Sequence, residues 1–223
     1  MSAARAIIID YDAGNLRSVQ RACAEVGLDA CISADATAVR DADRVIFPGV
    51  GAAGSAMKSL LRTGLDQALK DVLASGRPVL GICLGLQISF DHSEENDQHT
   101  LGLLPGRVRR FSFERRDLKI PHMGWNEVRV VRPHPLLQDI VPGDEFYFVH
   151  GYYPVPAVAS LTFAVTDYEI EFASAVGEKN YFATQFHPEK SGRVGLQLLS
   201  RFAQWDGHED MAEDASPKVA RSC

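Results

Sequence analysis

Short apolar runs alternate with segments of helical periodicity along the first half of the chain. Residues 6–10, 30–33 and 44–47 are predicted to be buried strands, because each is a short apolar run next to turn-forming residues. Between the first two runs, apolar residues recur at helical spacing up to a closing glycine: Leu16, Val19, Cys23, Val26 and Gly27. Strands that alternate with helices in this way indicate a parallel sheet with helices on both faces.

The second half of the chain is richer in strands. We predict strands at residues 107–113, 145–154, 162–166, 172–176 and 181–186. A hairpin turn is predicted between the last two of them. The last helix begins after Ser191, and its buried face consists of Val194, Leu198, Leu199 and Phe202.

Two segments lack this periodicity. Residues 92–100 are charged and are predicted to form a solvated loop. From residue 206 onward the chain is polar and aperiodic. We therefore expect one domain over residues 1–205, followed by a disordered tail over residues 206–223.

The composition argues against several classes of protein. A net charge of −6 and a pI near 5.6 disfavour nucleic acid or an anionic membrane as the main partner. No apolar run approaches the roughly 18–20 residues that span a bilayer, and the first residues do not resemble a signal peptide. The cysteines form no Cys-x-x-Cys, which indicates a reducing compartment, so we expect a cytoplasmic protein. They are Cys23, Cys31, Cys83 and Cys223.

The most informative segment is Gly81-Ile82-Cys83-Leu84-Gly85, where an apolar run meets a helical pattern. A nucleophile on a sharp strand-to-helix corner needs small neighbours on both sides, and the two glycines supply them. Such a corner places Cys83 Sγ at the N-terminus of the next helix, whose dipole favours a thiolate, and the Leu84 amide could donate to an oxyanion. The alternative is a buried structural cysteine, because free Cys is among the most buried residue types.

A second candidate is the glycine-rich segment 48–54, which contains a formal Gly-x-Gly-x-x-Gly pattern. A dinucleotide site is disfavoured, because the pattern follows the third predicted strand and not the first. The acidic residues roughly 20 positions further on, Asp66 and Asp71, also fall within a helical pattern. Two interpretations remain: an oxyanion hole made of backbone amides, and a tight turn without chemistry.

A third candidate is His187-Pro188-Glu189, at the end of a predicted strand. A Cys nucleophile needs a base, and the base needs an orienting group. His187 can accept the thiol proton, and Glu189 can fix the imidazole tautomer. In a parallel sheet, Gly51, Cys83 and His187 would all lie just past the carboxyl ends of strands, where sites form. No His or Cys pair and no carboxylate cluster has metal-ligand spacing, so we predict no metal site.

Three segments together resemble the signatures of class I, triad-type glutamine amidotransferases. They are Pro48-Gly49-Val50-Gly51, Gly81-Ile82-Cys83-Leu84-Gly85-Leu86-Gln87 and Gln185-Phe186-His187-Pro188-Glu189. A narrower resemblance, to the glutaminase subunits of imidazole glycerol phosphate synthases, is carried by residues 10–16, 119–126, 148–150 and 189–192. Together the matching segments extend from residue 7 to residue 202.

The resemblance implies an α/β fold with a flavodoxin-like, doubly wound, mostly parallel sheet and an added antiparallel strand region. It also implies glutamine hydrolysis through a γ-glutamyl thioester, without a cofactor. Cys83 would be the nucleophile, His187 the proton shuttle and Glu189 the group that orients it. The residues expected to bind the oxyanion or the substrate are Gly49, Val50, Gly51, Leu84, Gln87, His150, Gly151 and Tyr152. Gly151 stands where Ser or Thr is usual in the family, so only a backbone contact is expected there.

The resemblance implies a partner as well. Ammonia would pass through a tunnel to a separate cyclase subunit with a (β/α)8 barrel, which makes imidazole glycerol phosphate in histidine biosynthesis. The residues expected to face this subunit are Trp125, Asn126, Tyr147 and Lys190; for Trp125 and Tyr147, core packing is the alternative. Two other functions stay open: a glutaminase that serves a different acceptor synthase, and a non-enzymatic binding module.

Overall fold

The structure is a computed structural model that describes residues 5–114 and 118–209. Its strands are β1 (Ala6–Ile9), β2 (Ala30–Ser33), β3 (Arg44–Gly49), β4 (Val79–Cys83), β5 (His92–Ser93), β6 (Gln98–His99), β7 (Gly106–Arg110), β8 (His122–Glu127), β9 (Arg129–Val130), β10 (Glu145–His150), β11 (Tyr152–Pro156), β12 (Thr162–Tyr168), β13 (Ile170–Glu178) and β14 (Tyr181–Thr184). Its α-helices are α1 (Leu16–Glu25), α2 (Ala36–Arg40), α3 (Ala53–Thr63), α4 (Leu65–Ala74), α5 (Leu84–Gln87) and α6 (Gly192–Gln204). Short 3-10 helices cover Glu95–Asp97, Pro135–Leu137, Ala159–Leu161 and Pro188–Lys190.

The main sheet has the strand order β2-β1-β3-β4-β14-β13-β12-β9. The first five strands run parallel, in the order typical of flavodoxin-like folds, and the last three continue the sheet antiparallel. The predicted doubly wound sheet with an antiparallel region is therefore confirmed. The predicted hairpin is also present, since β13 and β14 are joined by Lys179 and Asn180.

The inner parallel strands β1, β3, β4 and β14 are buried on both faces, because alternate side chains enter different cores, whereas the edge strand β2 is only partly buried. In β1, Ala6 and Ile8 pack with helices α1 and α6, whereas Ile7 and Ile9 pack with helices α2, α3 and α4. This arrangement explains why these strands are continuous apolar runs in the sequence, and it leaves the carboxyl ends of the strands as the open edge.

Two smaller sheets stand beside this edge. Strands β8 and β10 form an antiparallel pair, and strands β11, β7, β5 and β6 form a four-stranded sheet. The second sheet includes His92–Ser93 and Gln98–His99, so the prediction of a simple solvated loop over residues 92–100 is wrong. The amides of Glu94 and Thr100 bond to Val108 and Asp91, which ties this charged segment to the rest of the sheet.

The helix after Cys83 is shorter than the sequence pattern suggests. The pattern extends towards Asp91, but α5 ends at Gln87 after one turn. The carbonyls of Ile88, Ser89 and Phe90 instead accept hydrogen bonds from the amides of residues 101–104, which ends the helix. A helix of one turn contributes little dipole at Cys83.

Residues 206–209 continue from α6 along the domain surface. Trp205 Nε1 donates to the carbonyl of His208 at 2.6 Å, and the Glu209 carboxylate accepts from the Lys179 amide and pairs with Arg132. The rest of the predicted tail, residues 210–223, lies outside the described residues. Within the described ranges, none of the helices has both the length and the apolar composition needed to cross a bilayer.

Candidate active site

Cys83 stands at a strained corner between β4 and α5. Its backbone has φ 54° and ψ −101°, a conformation that is rare for a residue with a side chain. The flanking glycines are required by contacts across the sheet. A Cβ at Gly85 would lie 1.8 Å from the Phe47 carbonyl oxygen, and a Cβ at Gly81 would lie 2.4 Å from the Tyr181 hydroxyl oxygen. The spacing of the motif thus reflects the crowding that the corner imposes.

His187 and Glu189 are brought together where β14 leads into the 3-10 helix Pro188–Lys190. His187 Nδ1 lies 2.7 Å from Glu189 Oε1, and both side chains are almost completely buried. The same carboxylate oxygen accepts a hydrogen bond from Asn15 Nδ2 at 2.5 Å. Glu189 therefore fixes a proton on Nδ1 and leaves Nε2 for proton transfer.

The charge of His187 results from opposing effects. Burial by itself lowers the pKa of an imidazole, but the interactions with Cys83 and Glu189 outweigh it and raise the pKa of His187 to about 10. Nε2 of His187 is buried and makes no hydrogen bond of normal geometry within the described residues. These surroundings favour the imidazolium form of His187.

The glycine loop lies next to the nucleophile, because β3 and β4 are adjacent and Gly49 is in register with Cys83. The Tyr11 hydroxyl covers Gly49 so closely that a Cβ there would lie 1.8 Å from its oxygen. Gly51 has φ 115°, a region that favours glycine. Val50 is 37% exposed, and one of its methyl groups faces Gly14 in the loop after β1.

A cavity of about 400 Å³ opens above Cys83. It is lined by Val50, Gly51, Cys83, Leu84, Gln87, Glu95, Pro121, Val149, His150, Gly151, Tyr152 and Lys190. The cavity thus collects the nucleophile and most of the residues that the sequence predicted to bind substrate. His187 and Glu189 are not lining residues of this cavity, but His187 interacts with Cys83, and Gly49 lies beside Cys83 in the neighbouring strand.

Glu95 is a charged lining residue that the sequence analysis missed. Its Oε2 accepts a hydrogen bond from the amide of Ala53 at 2.8 Å, so it also bonds to the first residue of α3. The residue lies in the segment that was predicted to be a solvated loop. Nothing in the local pattern separates Glu95 from Glu94 or Asp97, and only the four-stranded sheet brings it to the cavity.

His150 lines the cavity, and it packs against a second buried, neutral histidine, His122. Burial lowers the pKa of His150 to about 3 and that of His122 to about 4. His150 Nδ1 donates to the Tyr152 carbonyl at 2.7 Å, so its Nε2 is free to accept from His122 Nδ1 at 3.2 Å. These bonds hold the backbone of residues 150–152 at the cavity wall.

The residues predicted to face a partner do not all point to the same side, because Trp125 and Asn126 are neighbours on strand β8 and lie on its opposite faces. Trp125 is 53% exposed, and its ring packs edge-on against Tyr147 with the centroids 6.2 Å apart. Lys190 Nζ lies 5.8 Å from the centroid of the Tyr147 ring. Asn126 points the other way, since adjacent strand residues alternate, and it donates to the Asp167 carbonyl at 2.9 Å. The three side chains Trp125, Tyr147 and Lys190 therefore form one surface group.

Metal ligation finds no support in the side chains at this edge. Within residues 5–114 and 118–209, His, Cys, Asp and Glu nowhere form a group of three or more that could hold a metal ion. The groups collected near the cavity are the Cys83 side chain, the His187–Glu189 pair and backbone amides.

Comparison with known proteins identifies the family. The sequence profile of class-I glutamine amidotransferases matches residues 7–204. Imidazole glycerol phosphate synthase subunit HisH from Chromobacterium violaceum is 49% identical over 208 residues, covering 90% of this chain and 98% of that protein. The HisH subunit from Nitrosococcus oceani is 50% identical over 203 residues, covering 90% of this chain and 97% of its own length.

Solved structures agree on the fold. Thermotoga maritima PurLQS superposes with a TM-score of 0.70 at 16% identity, covering 91% of this chain and 98% of the other. The glutaminase domain of Trypanosoma brucei CTPS, solved with bound acivicin, gives a TM-score of 0.63 at 17% identity. The match covers 94% of this chain and 96% of that domain's chain. Because the family profile spans residues 7–204 and the relatives are about half identical over nearly their whole length, the chain belongs to the class-I glutamine amidotransferases, and within them to the HisH subunits of imidazole glycerol phosphate synthase.

Proposed function

We propose that Cys83, His187 and Glu189 are the catalytic triad with which this chain hydrolyses glutamine to glutamate and ammonia. The observation that carries the proposal is the convergence of three distant segments at one cavity. A strained cysteine, a buried His–Glu pair and a glycine loop meet there at the carboxyl edge of the sheet.

The reaction follows from the charges of these groups. The Cys83 thiolate attacks the side-chain carbonyl carbon of glutamine, and the carbonyl oxygen becomes an oxyanion near the Leu84 amide and the loop Gly49–Gly51. His187 then gives its Nε2 proton to the amide nitrogen, the carbon–nitrogen bond breaks, and ammonia leaves a thioester on Cys83. Water attacks the thioester while His187 takes its proton, and glutamate departs as the thiolate re-forms.

Glutamine is recognised by charge as well as by shape. The Glu95 carboxylate lines the cavity and suits the α-ammonium group of glutamine, whereas Gln87, Gly51 and the backbone of residues 150–152 line the remaining walls. A cavity of about 400 Å³ is large enough to hold one glutamine molecule.

The partner is a cyclase subunit with a (β/α)8 barrel, which would cover the face formed by Trp125, Tyr147 and Lys190. This face also exposes Met123, which is 63% exposed and pairs across the strands with Val149 in the cavity wall. Large exposed apolar side chains next to a site indicate a binding surface. Docking there would cap the cavity mouth, so that ammonia passes to the cyclase rather than into water.

The test is glutamate release from glutamine, with and without the cyclase and its nucleotide substrate. We expect release that depends on the cyclase and is lost in Cys83→Ala, while Cys31→Ala, at a half-buried free cysteine, keeps it. Strong release without any cyclase would favour a different acceptor synthase, which pairing with other synthases would identify. No release, and no labelling of Cys83 by a glutamine-like chloroketone, would favour a binding module.

A further inference from the structure

Gln185 is a buried polar residue of the third signature segment to which the proposed reaction gives no part. It directly follows β14 and has no solvent exposure. Its backbone amide donates to the Ser174 carbonyl at 2.9 Å, which anchors it to β13. Its side-chain Nε2 lies 3.7 Å from Cys83 Sγ, at hydrogen-bonding distance for sulfur.

The neighbouring hydrogen bonds determine which end of the Gln185 amide faces the sulfur. Gln87 Nε2 lies 2.9 Å from the Tyr152 carbonyl oxygen, which can only accept, so this atom of Gln87 must be the nitrogen. The second hydrogen of the same nitrogen reaches Gln185 Oε1 at 3.1 Å. With its oxygen engaged by Gln87, Gln185 turns its NH2 group towards Cys83.

We propose that Gln185 is a further catalytic residue, whose side-chain amide donates a hydrogen bond to Cys83 Sγ and stabilises the thiolate. The inference rests on the proposed function, because only a nucleophilic Cys83 makes a thiolate useful. An N–H donor in a dry site favours a negative sulfur over a neutral thiol. The donor acts twice in each turnover: before the attack on glutamine, and again when the thioester breaks and the thiolate re-forms.

This donor is especially relevant here because the helix after Cys83 is only one turn long. The thiolate would then depend on His187 on one side and on Gln185 on the other. Tyr11, another titratable group that interacts with Cys83, is a buried phenol and carries no positive charge. A purely structural Gln185 would fill the same space and bond Gln87 without affecting the sulfur.

Two variants separate these roles. Gln185→Met keeps the length of the side chain but removes both the donor and the acceptor. Gln185→Glu removes the donor and keeps an acceptor oxygen for Gln87. The readout is the rate at which iodoacetamide alkylates Cys83 as a function of pH, measured on the whole chain without glutamine.

We expect the midpoint of the alkylation–pH profile to move up by about one pH unit in Gln185→Met. In Gln185→Glu it should move at least as far, because a carboxylate would replace the donor. Glutamine hydrolysis at pH 7 should fall about tenfold or more in both. Ser174→Ala is the matched control: Ser174 Oγ is buried and has no hydrogen-bond partner among the described residues, so its removal should leave the profile unchanged.

If Gln185→Glu folds and its alkylation–pH profile has the same midpoint as the wild type, the inference is overturned. Gln185 would then serve only to bond Gln87. Should neither variant fold, the wild type supplies the test by NMR. The side-chain amide protons of Gln185 should then shift with the same midpoint as the alkylation rate, and should not do so in Cys83→Ala; absence of that shift also overturns it. If the variants shift the alkylation–pH profile but the wild type releases no glutamate, the proposed function is wrong, whereas the hydrogen bond from Gln185 to Cys83 is supported.

Discussion

Asn15 Nδ2 donates to the Glu189 carboxylate at 2.5 Å, although the two residues are 174 positions apart in the chain. Asn15 precedes helix α1 and has φ 73°, a left-handed conformation that Asn tolerates better than most residues. The loop after β1 thereby holds the carboxylate that orients His187. Asn15 is a positioning residue, since it reaches the reacting atoms only through Glu189.

Replacing Asn15 tests this role. Asn15→Gly removes the side chain without straining the backbone, and we expect glutamine hydrolysis to fall about three- to tenfold, as for the loss of one typical hydrogen bond. Asn15→Ala should lose the same activity and an additional ~1 kcal/mol of folding stability, because alanine disfavours this φ. Chemical unfolding and the rate of glutamate release separate the two effects. Full activity in Asn15→Gly would contradict the positioning role.

Glu189→Gln should affect the same histidine more strongly. The neutral amide removes an interaction that raises the pKa of His187, so the imidazolium should become less stable and the midpoint of its titration should fall. We expect a drop of about 10²-fold in glutamine hydrolysis. The 1H–15N signals of the His187 ring give the titration, and Glu178→Gln, at the exposed end of β13, serves as the control. An unshifted titration would contradict the assignment of Glu189.

Substitutions at Gly49 and Tyr11 should have strongly non-additive effects on the free energy of unfolding. Gly49→Ala would bring a methyl group into the Tyr11 hydroxyl, which lies where that methyl must go, and should destabilise the chain by about 1–3 kcal/mol. Tyr11→Phe should by itself stabilise by ~1 kcal/mol, because the buried hydroxyl has no hydrogen-bond partner among the described residues. The double variant should recover part of the loss. Additive unfolding free energies would contradict the direct contact.

Buried neutral histidines predict a steep loss of stability in acid. Burial lowers the pKa of His122 to about 4, and that of His134 and His150 to about 3, whereas each should be about 6.5 in the unfolded chain. Below pH 6.5 the unfolded chain therefore binds more protons, and the free energy of unfolding should fall by about 1.4 kcal/mol per pH unit for each of them. His187 acts in the opposite sense: its raised pKa stabilises the fold below pH 6.5, and this contribution is lost towards pH 10.

Urea unfolding between pH 5 and pH 6.5 measures this slope. His134→Phe should reduce the slope by the contribution of one proton, since the ring of His134 is buried against Phe163 and Phe182. His99→Asn, at an exposed position, should leave the slope unchanged. Equal slopes for the wild type and His134→Phe would show that the buried ring does not resist protonation.

The Trp125 surface should matter for the partner and not for the fold. Trp125→Ala should weaken cyclase binding about tenfold or more, as expected for an exposed aromatic at the centre of an interface, with little change in unfolding. Leu61→Ala removes a side chain that is 62% exposed on helix α3 and should leave binding unchanged. Calorimetric titration with the cyclase measures the affinity of both variants. If Trp125→Ala lost as much free energy of unfolding as free energy of cyclase binding, Trp125 would be a core-packing residue and not an interface residue.

The sequence by itself determined the parallel sheet with its alternating helices, and Cys83, His187 and Glu189 as candidates for a common site; the strand predicted over residues 145–154 is in fact two strands, β10 and β11, in different sheets. The patterns that reveal these features are local in the sequence: buried strands are continuous apolar runs, and two glycines flank Cys83. Only the tertiary structure placed Glu95, Asn15 and Gln185 at the site. Their contacts are formed between segments 42 to 174 positions apart, where no periodicity connects one residue to the other. A polar residue in a loop or at a strand end takes its role from what the fold brings against it, and that depends on the packing of the whole domain.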